Sequence, residues 1–336
     1  MACVHIHHTS AVTIVTSLAP LPLSAFDCMF VSQIPLLFVP SASRVAETLA
    51  CPSLQSFHPF AGELTYLSSS GTIAIIFPEN GAGVTFIEAK TDIDLKGLLD
   101  EEEHDTEALR LLVPDIRRDV LPALVMAAQV TQAVGGLVVG LALHHTLVDG
   151  HGLFHFLTTW TAAATAERPG SSNPNPLPRH DRNLVWFDSD EEFNRMVLRH
   201  FTPNLPWPKN SIAPSFNKTF VFTAKALQHL KRRHIASTNP GEQLVSSTFV
   251  AIASHGWVSF TRASGSSAND RPVFIVFLVD CRPALMSLPV DQVYAGNCIV
   301  FCKVGLNGSE LRVPDGLARA LSTLTDAVKK AKADPL

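Results

Sequence analysis

Apolar positions along this chain come in short runs cut by turn formers, alternating with stretches of helical spacing. In ELTYLSSSGTIAIIFPENGAGVTFIEAK (63–90) three apolar runs are separated by SSSG and ENGAG, the pattern of a β-meander. LPALVMAAQVTQAVGGLVVGLALHH (121–145) reads as two strands joined near AVGG. GLFHFLTTWTAAATAE (152–167) places Leu153, Phe156, Leu157 and Trp160 on one side of a helix. Upstream, the first thirty residues read as extended chain. SASRVAETLACPSL (41–54) has helical spacing at Val45, Leu49 and Leu54, with Ser43 as a candidate N-cap.

The texture changes at RPGSSNPNPLPRHDR (168–182), where Pro169, Pro174, Pro176 and Pro178 forbid sustained regular structure. This marks a crossover linker over 168–210 between a first domain, 1–167, and a second, 211–336. The second half repeats the alternation: a strand near 218–223, a helix near 224–235, a helix over 247–263, strands at 272–280 and 297–305, and a last helix over about 314–332. The fold class is therefore α/β, as two mixed domains without a solenoid-type repeat.

Composition narrows the function classes. Of 336 residues, 46% are apolar and 17% charged, enough to pack cores and too apolar for a disordered chain. A net charge of −4 without a basic block gives no nucleic-acid footprint. The longest apolar runs, such as GGLVVGLAL, are too short to span a bilayer, and no Lys or Arg precedes Arg44 to form a signal-peptide n-region. Six cysteines are scattered with no C-x-x-C, which fits free thiols in a reducing, cytoplasmic compartment.

Several chemistries lack their motifs: G-x-S-x-G, a P-loop, a complete dinucleotide fingerprint and H-E-x-x-H are all missing. What stands out is LALHHTLVDGHGLF (141–154). His144 and His145 end an apolar β-type run, and TLVDG turns the chain into a helix. Successive strand residues face opposite sides, so only one of the two histidines can face a given cleft. A histidine fixed at a strand end suits a general base, because its pKa lies near neutrality. Asp149 is placed to cap the helix or anchor the turn. Two other readings stay open on spacing alone: a β–turn–α corner with incidental histidines, and a metal site using His151 and His155 at i and i+4. For the metal no third ligand of recognised spacing appears, so no metal is expected.

HHTLVDG resembles the H-x-x-x-D-G signature of the BAHD acyl-CoA-dependent acyltransferases of plants. Companion segments follow in that family's order: LPLSAFD (21–27), FHPFAGEL (57–64), PLPRHDR (176–182), SSTFVAIASHGWVSFTRA (246–263), VDCRPAL (279–285) and YAGNC (294–298). YAGNC is close to the Y-F-G-N-C of the branch that acylates flavonoid and anthocyanin glycosides, often with malonyl groups. The resemblance implies two similar chloramphenicol-acetyltransferase-like α/β domains with an interdomain channel. Acyl-CoA, here malonyl-CoA, would be co-substrate, with no bound cofactor. A small-molecule hydroxyl, such as that of a phenolic or flavonoid glucoside, would be the acceptor. The protein would be a monomer with neither membrane nor nucleic-acid partner. His145 would be the general base, Asp149 a loop anchor turned from the channel and paired with the structural Arg282, and His144 would pack away from substrate.

Three departures accompany the resemblance. Family members run longer and carry D-F-G-W-G near their C-terminus, which this chain lacks, so its second domain is expected to be incomplete. Ala284 stands where a second arginine is usual, and Ala295 where phenylalanine is usual. The alternative function is accordingly a catalytically weak homologue acting as a binding protein, or a gene fragment. A peptide-synthetase condensation domain shares H-H-x-x-x-D-G, but YAGNC and VDCRPAL argue against it.

Overall fold

The computed structural model describes residues 3–14, 18–28, 36–38, 52–78, 82–100, 103–116, 121–165, 175–185, 192, 217–236, 247–264, 271–283 and 292–333. Two compact units emerge: Met1–Thr219 with Leu288–Cys298, and Phe220–Ser287 with Ile299–Leu336. The first unit includes YAGNC although it lies late in the chain.

The first unit holds strands β1 (Val4–Ile14), β2 (Leu21–Pro22), β3 (Leu36–Phe38), β4 (Glu63–Leu67), β5 (Thr72–Ile76), β6 (Ala82–Asp94), β7 (Glu103–His104), β8 (Ala123–Leu124), β9 (Met126–Val134), β10 (Gly136–Leu143) and β11 (Asn217–Lys218). Its helices are α1 (Ala25–Cys28), α2 (Pro52–Ser56), α3 (Leu95–Asp100), α4 (Thr106–Leu111) and α5 (Gly150–Thr165). A five-stranded sheet runs β1-β6-β9-β10-β3 and a four-stranded one β2-β5-β4-β8. The expected meander is therefore split: β4 and β5 form a hairpin, whereas β6 leaves to pair with β1 and β9. Periodicity marks a strand but not its partner. β9 and β10 turn at Gly135, whose φ of +91° needs glycine, as AVGG suggests. The helix expected over 41–54 lies outside the described residues except for its end, where α2 begins at Pro52.

Phe57, Phe60, Phe156 and Trp160 form the heart of the first unit's core, with Phe60 stacked on Phe156 at 4.6 Å. This seats α5 beneath the sheet end that carries His144 and His145.

The second unit holds α6 (Ala224–Ala236), α7 (Thr248–Ala263), β12 (Pro272–Asp280), β13 (Ile299–Asn307), α8 (Gly308–Arg312) and α9 (Gly316–Ala333). β12 and β13 pair antiparallel over their full length, Pro272 opposite Asn307 and Asp280 opposite Ile299. One sheet face packs on Val250, Trp257, Leu321 and Leu324 of the helices.

Candidate active site

β10 ends at Leu143, and the next residues are fixed one by one. The His144 N–H donates to the Val125 carbonyl at 2.8 Å. His144 is buried, its Nδ1 2.7 Å from Thr146 Oγ1, so it is a packing residue inside the corner. His145, on the opposite side of the strand end, is only partly buried. Asp149 then opens α5: its Oδ1 accepts from the Gly152 N–H at 3.0 Å, a helix N-cap. Its Oδ2 accepts from the Cys298 N–H at 3.0 Å, tying HHTLVDG to YAGNC. Any Cβ at Gly152 would strike Val148 and press on Ala295, which accounts for the glycine of DGHG where YAGNC crosses the helix start.

The backbone of the same loop is held by a buried charged network that inspection of HHTLVDG alone does not reveal. Asn297 Nδ2 donates to the His145 carbonyl at 2.9 Å and to Asp27 Oδ1 at 2.9 Å. Asp27 Oδ2 accepts from Arg182 Nε at 2.8 Å and from the Ser24 hydroxyl at 2.9 Å. Arg182 Nη2 donates to the Leu147 carbonyl at 2.9 Å. Asp27, Arg182 and Asn297 are all essentially inaccessible to solvent. Burial alone would weaken the charge on Arg182, but the Asp27 carboxylate and Tyr294 together outweigh it and hold the guanidinium's pKa above its ordinary value. Its members Asp27, Arg182 and Asn297 come from LPLSAFD, PLPRHDR and YAGNC, companion segments of HHTLVDG.

Burial lowers the His145 pKa below 6.5, against the opposing pull of its own carbonyl, Asp149, Asn297 and Asp27. The ring is therefore neutral at pH 7 and can accept a proton. Arg282 lies in the second unit, where its N–H and Nη1 both bond Asp280 Oδ1 at 3.0 Å. Ala284 lies outside the described residues. His151 Nε2 meets the Gln292 carbonyl at 2.7 Å, and His155 Nε2 the Pro176 carbonyl at 2.9 Å. Among the described residues no group of three or more His, Cys, Asp or Glu could hold a metal ion, and no helix is long and apolar enough to cross a membrane.

Beside the network, His180 packs edge-on to His58 with ring centroids 4.9 Å apart, and its Nε2 lies 2.8 Å from the Ser56 carbonyl. Burial, reinforced by Arg182 and the neighbouring histidines, pushes its pKa down to about 3. An unfolded chain protonates this ring near 6.5 and the folded one does not, so stability is complete above 6.5 and is lost as pH falls toward 3. Between pH 7 and pH 5 the loss from this one group is about 2 kcal/mol. Denaturant melts of wild type and His180→Phe should diverge by that amount between the two pH values. Parallel pH dependences would show that His180 titrates normally in the fold.

The Transferase family model matches residues 28–335. Phenolic glucoside malonyltransferase 1 of Bemisia tabaci is 28% identical over 300 residues, 84% of this chain and 63% of that protein. The protein of the same name from Arabidopsis thaliana is 28% identical over 348 residues, covering 92% and 73%. The chain thus spans from under two thirds to about three quarters of these relatives' lengths. Among solved structures, vinorine synthase superposes with a TM-score of 0.67 at 19% identity, covering 99% of this chain and 77% of that one. TRI101 of F. graminearum, complexed with coenzyme A and T-2 mycotoxin, gives 0.61 at 16%, covering 94% and 76%. These likenesses bear out the mixed α/β acyltransferase fold.

Proposed function

Because the chain belongs to the Transferase family of BAHD acyl-CoA-dependent acyltransferases, we propose that it transfers an acyl group, malonyl above others, from coenzyme A to a hydroxyl of a phenolic or flavonoid glucoside. The observation that carries the chemistry is His145: a partly buried, neutral imidazole at a strand end, its backbone held by Asn297 and, through Asp27, by Arg182. The imidazole takes the proton of the acceptor hydroxyl as the oxygen attacks the thioester carbonyl. The C–S bond then breaks, and the proton passes from the imidazolium to the departing thiolate. The products are an ester and free CoA, and His145 is neutral again. Asp149 anchors the loop and touches no reacting atom; Arg282 serves structurally through Asp280. The malonyl group and the glucoside rest on the names of the malonyltransferase relatives, and coenzyme A on TRI101.

The test is release of free thiol from a panel of acyl-CoAs, malonyl-CoA included, with a phenolic glucoside as acceptor. Malonyl-CoA should turn over fastest; thiol release with no acyl-CoA would sink the reading. A second reading, a metabolite-binding homologue with little turnover, draws on the second unit, whose sheet has two strands among the described residues. It is distinguished by calorimetric binding of malonyl-CoA without thiol release. The active enzyme should also show a kcat/KM that is flat near neutrality and falls on the acid side, with a midpoint below 6.5, because only neutral His145 accepts a proton. An acid limb centred above 7 would contradict this base.

A further inference from the structure

One atom of the Asn297 amide is left over once the loop contacts are made. Its Nδ2 donates to the His145 carbonyl and to Asp27 Oδ1, each at 2.9 Å, and its backbone N–H donates to the same Asp27 oxygen at 3.2 Å. A carbonyl and a carboxylate only accept, so both Nδ2 hydrogens are committed, and turning the amide over would set its oxygen against two others. Arg182 fixes Asp27 in turn, with Nε on Oδ2 at 2.8 Å. The remaining atom, Asn297 Oδ1, is wholly buried and receives no hydrogen bond from any described residue. Buried amide oxygens are rarely left without a donor, because desolvation is then uncompensated. His145 Nδ1 is buried as well, although the ring as a whole is only partly so. Burial lowers the His145 pKa, while its own carbonyl, Asp149, the Asn297 side chain and Asp27 each pull it back up. An amide pulls in that direction through its oxygen, since an N–H donor would favour the neutral ring.

We propose that Asn297 is the positioning residue of the base: the His145 Nδ1–H donates to Asn297 Oδ1, which fixes the tautomer whose free lone pair is on Nε2. The proposal rests on the reading of His145 as the base of acyl transfer. The two ring nitrogens are not equivalent, and the bond made by one decides which of them can accept a proton. With Nδ1–H held, Nε2 takes the proton of the acceptor hydroxyl, and the positive charge of the imidazolium is met by Oδ1. When Nε2 gives that proton to the departing thiolate, the ring returns to the tautomer it started from. Asn297 thus does for His145 what an orienting carboxylate does for the histidine of a hydrolase triad. A neutral amide does so without adding a negative charge, which would raise the pKa of a base that has to be neutral at pH 7. Asp149, the acid nearest in sequence, is committed elsewhere, to the Gly152 and Cys298 N–H groups.

Nitrogen-15 NMR of the histidine-labelled protein reads the tautomer directly and needs no turnover, so a failure of acyl transfer is told apart from a failure of Asn297. The chain has 14 histidines, and the His145 signals are those that vanish in His145→Gln. Above the imidazole transition they should show Nδ1 protonated and Nε2 bare. Asn297→Leu removes the amide and keeps the backbone N–H on Asp27. It should convert a large part of the ring to the Nε2–H form and lower the His145 pKa in the NMR titration. In the active enzyme it should also lower kcat about 10- to 100-fold with KM little changed, as loss of a histidine's orienting partner does elsewhere. Asn297→Asp keeps an oxygen toward the ring, so it should hold the Nδ1–H form and move the pKa upward. An Nε2–H ring in the wild type, loss of the Nδ1–H form in Asn297→Asp, or an unchanged tautomer in Asn297→Leu overturns the proposal. The last result would mean that the ring's own carbonyl sets the tautomer.

Discussion

Replacing His145 with alanine is expected to lower kcat/KM for acyl transfer by about 10²- to 10⁴-fold while leaving the melting transition in place, the range by which a positioned general base accelerates such steps. The side chain is only partly buried, and Asn297 holds the loop through the His145 carbonyl, so truncating the ring leaves the loop's backbone held. The measurement is thiol release from malonyl-CoA with a phenolic glucoside, beside a thermal melt of the same preparation. Turnover within a few-fold of wild type would remove His145 from the mechanism. The contrast with His144 makes the test specific. His144 is buried against Thr146, so His144→Ala acts through stability and shifts the melt first.

These two histidines show how far local sequence reaches. A strand run, a turn and a helix start are written within fourteen residues, and the alternation of strand side chains separates an inward His144 from a more open His145. Asp149 as an N-cap is equally local, since its Gly152 bond spans three residues. Arg182 and Asn297 are of another kind. Arg182 reaches Asp27 across 155 positions and Asn297 reaches it across 270, so no window of periodicity contains both ends of either bond. PLPRHDR reads as part of a proline-rich crossover until the fold closes around Arg182. The same limit explains β6. Its apolar run is visible, but its departure from the β4–β5 hairpin to a second sheet depends on partners near residues 4–14 and 126–134. The order of companion motifs did carry this information indirectly, because LPLSAFD, PLPRHDR and YAGNC are the segments that meet at Asp27.

Arg182→Met is expected to cost about 3–5 kcal/mol of stability, the largest effect predicted for any single change here. The substitution keeps much of the side chain's volume and removes only its charge and donors. Asp27 would then be a carboxylate with no solvent access and no cation, and the Leu147 and His180 carbonyls would each lose a donor. A surface ion pair would count for little, but both partners of this one are 1% exposed or less, so neither charge can be rescued by water. Asp27→Asn should be costly for the converse reason, stranding the guanidinium. The double variant carries neither unpaired charge, so its cost should fall well short of the two singles added together, by about 0.5–3 kcal/mol as contacting pairs generally do. Denaturant unfolding of the four proteins at pH 7 measures that cycle. Strict additivity, or a cost below about 1 kcal/mol for Arg182→Met, would mean that the ion pair does not hold the loop. Because Arg182 and, through Asp27, Asn297 grip the Leu147 and His145 carbonyls, the folded fraction of Arg182→Met should also turn over more slowly than wild type. That slowing should appear in kcat with KM little changed, since the network sets where His145 stands rather than what the substrate touches.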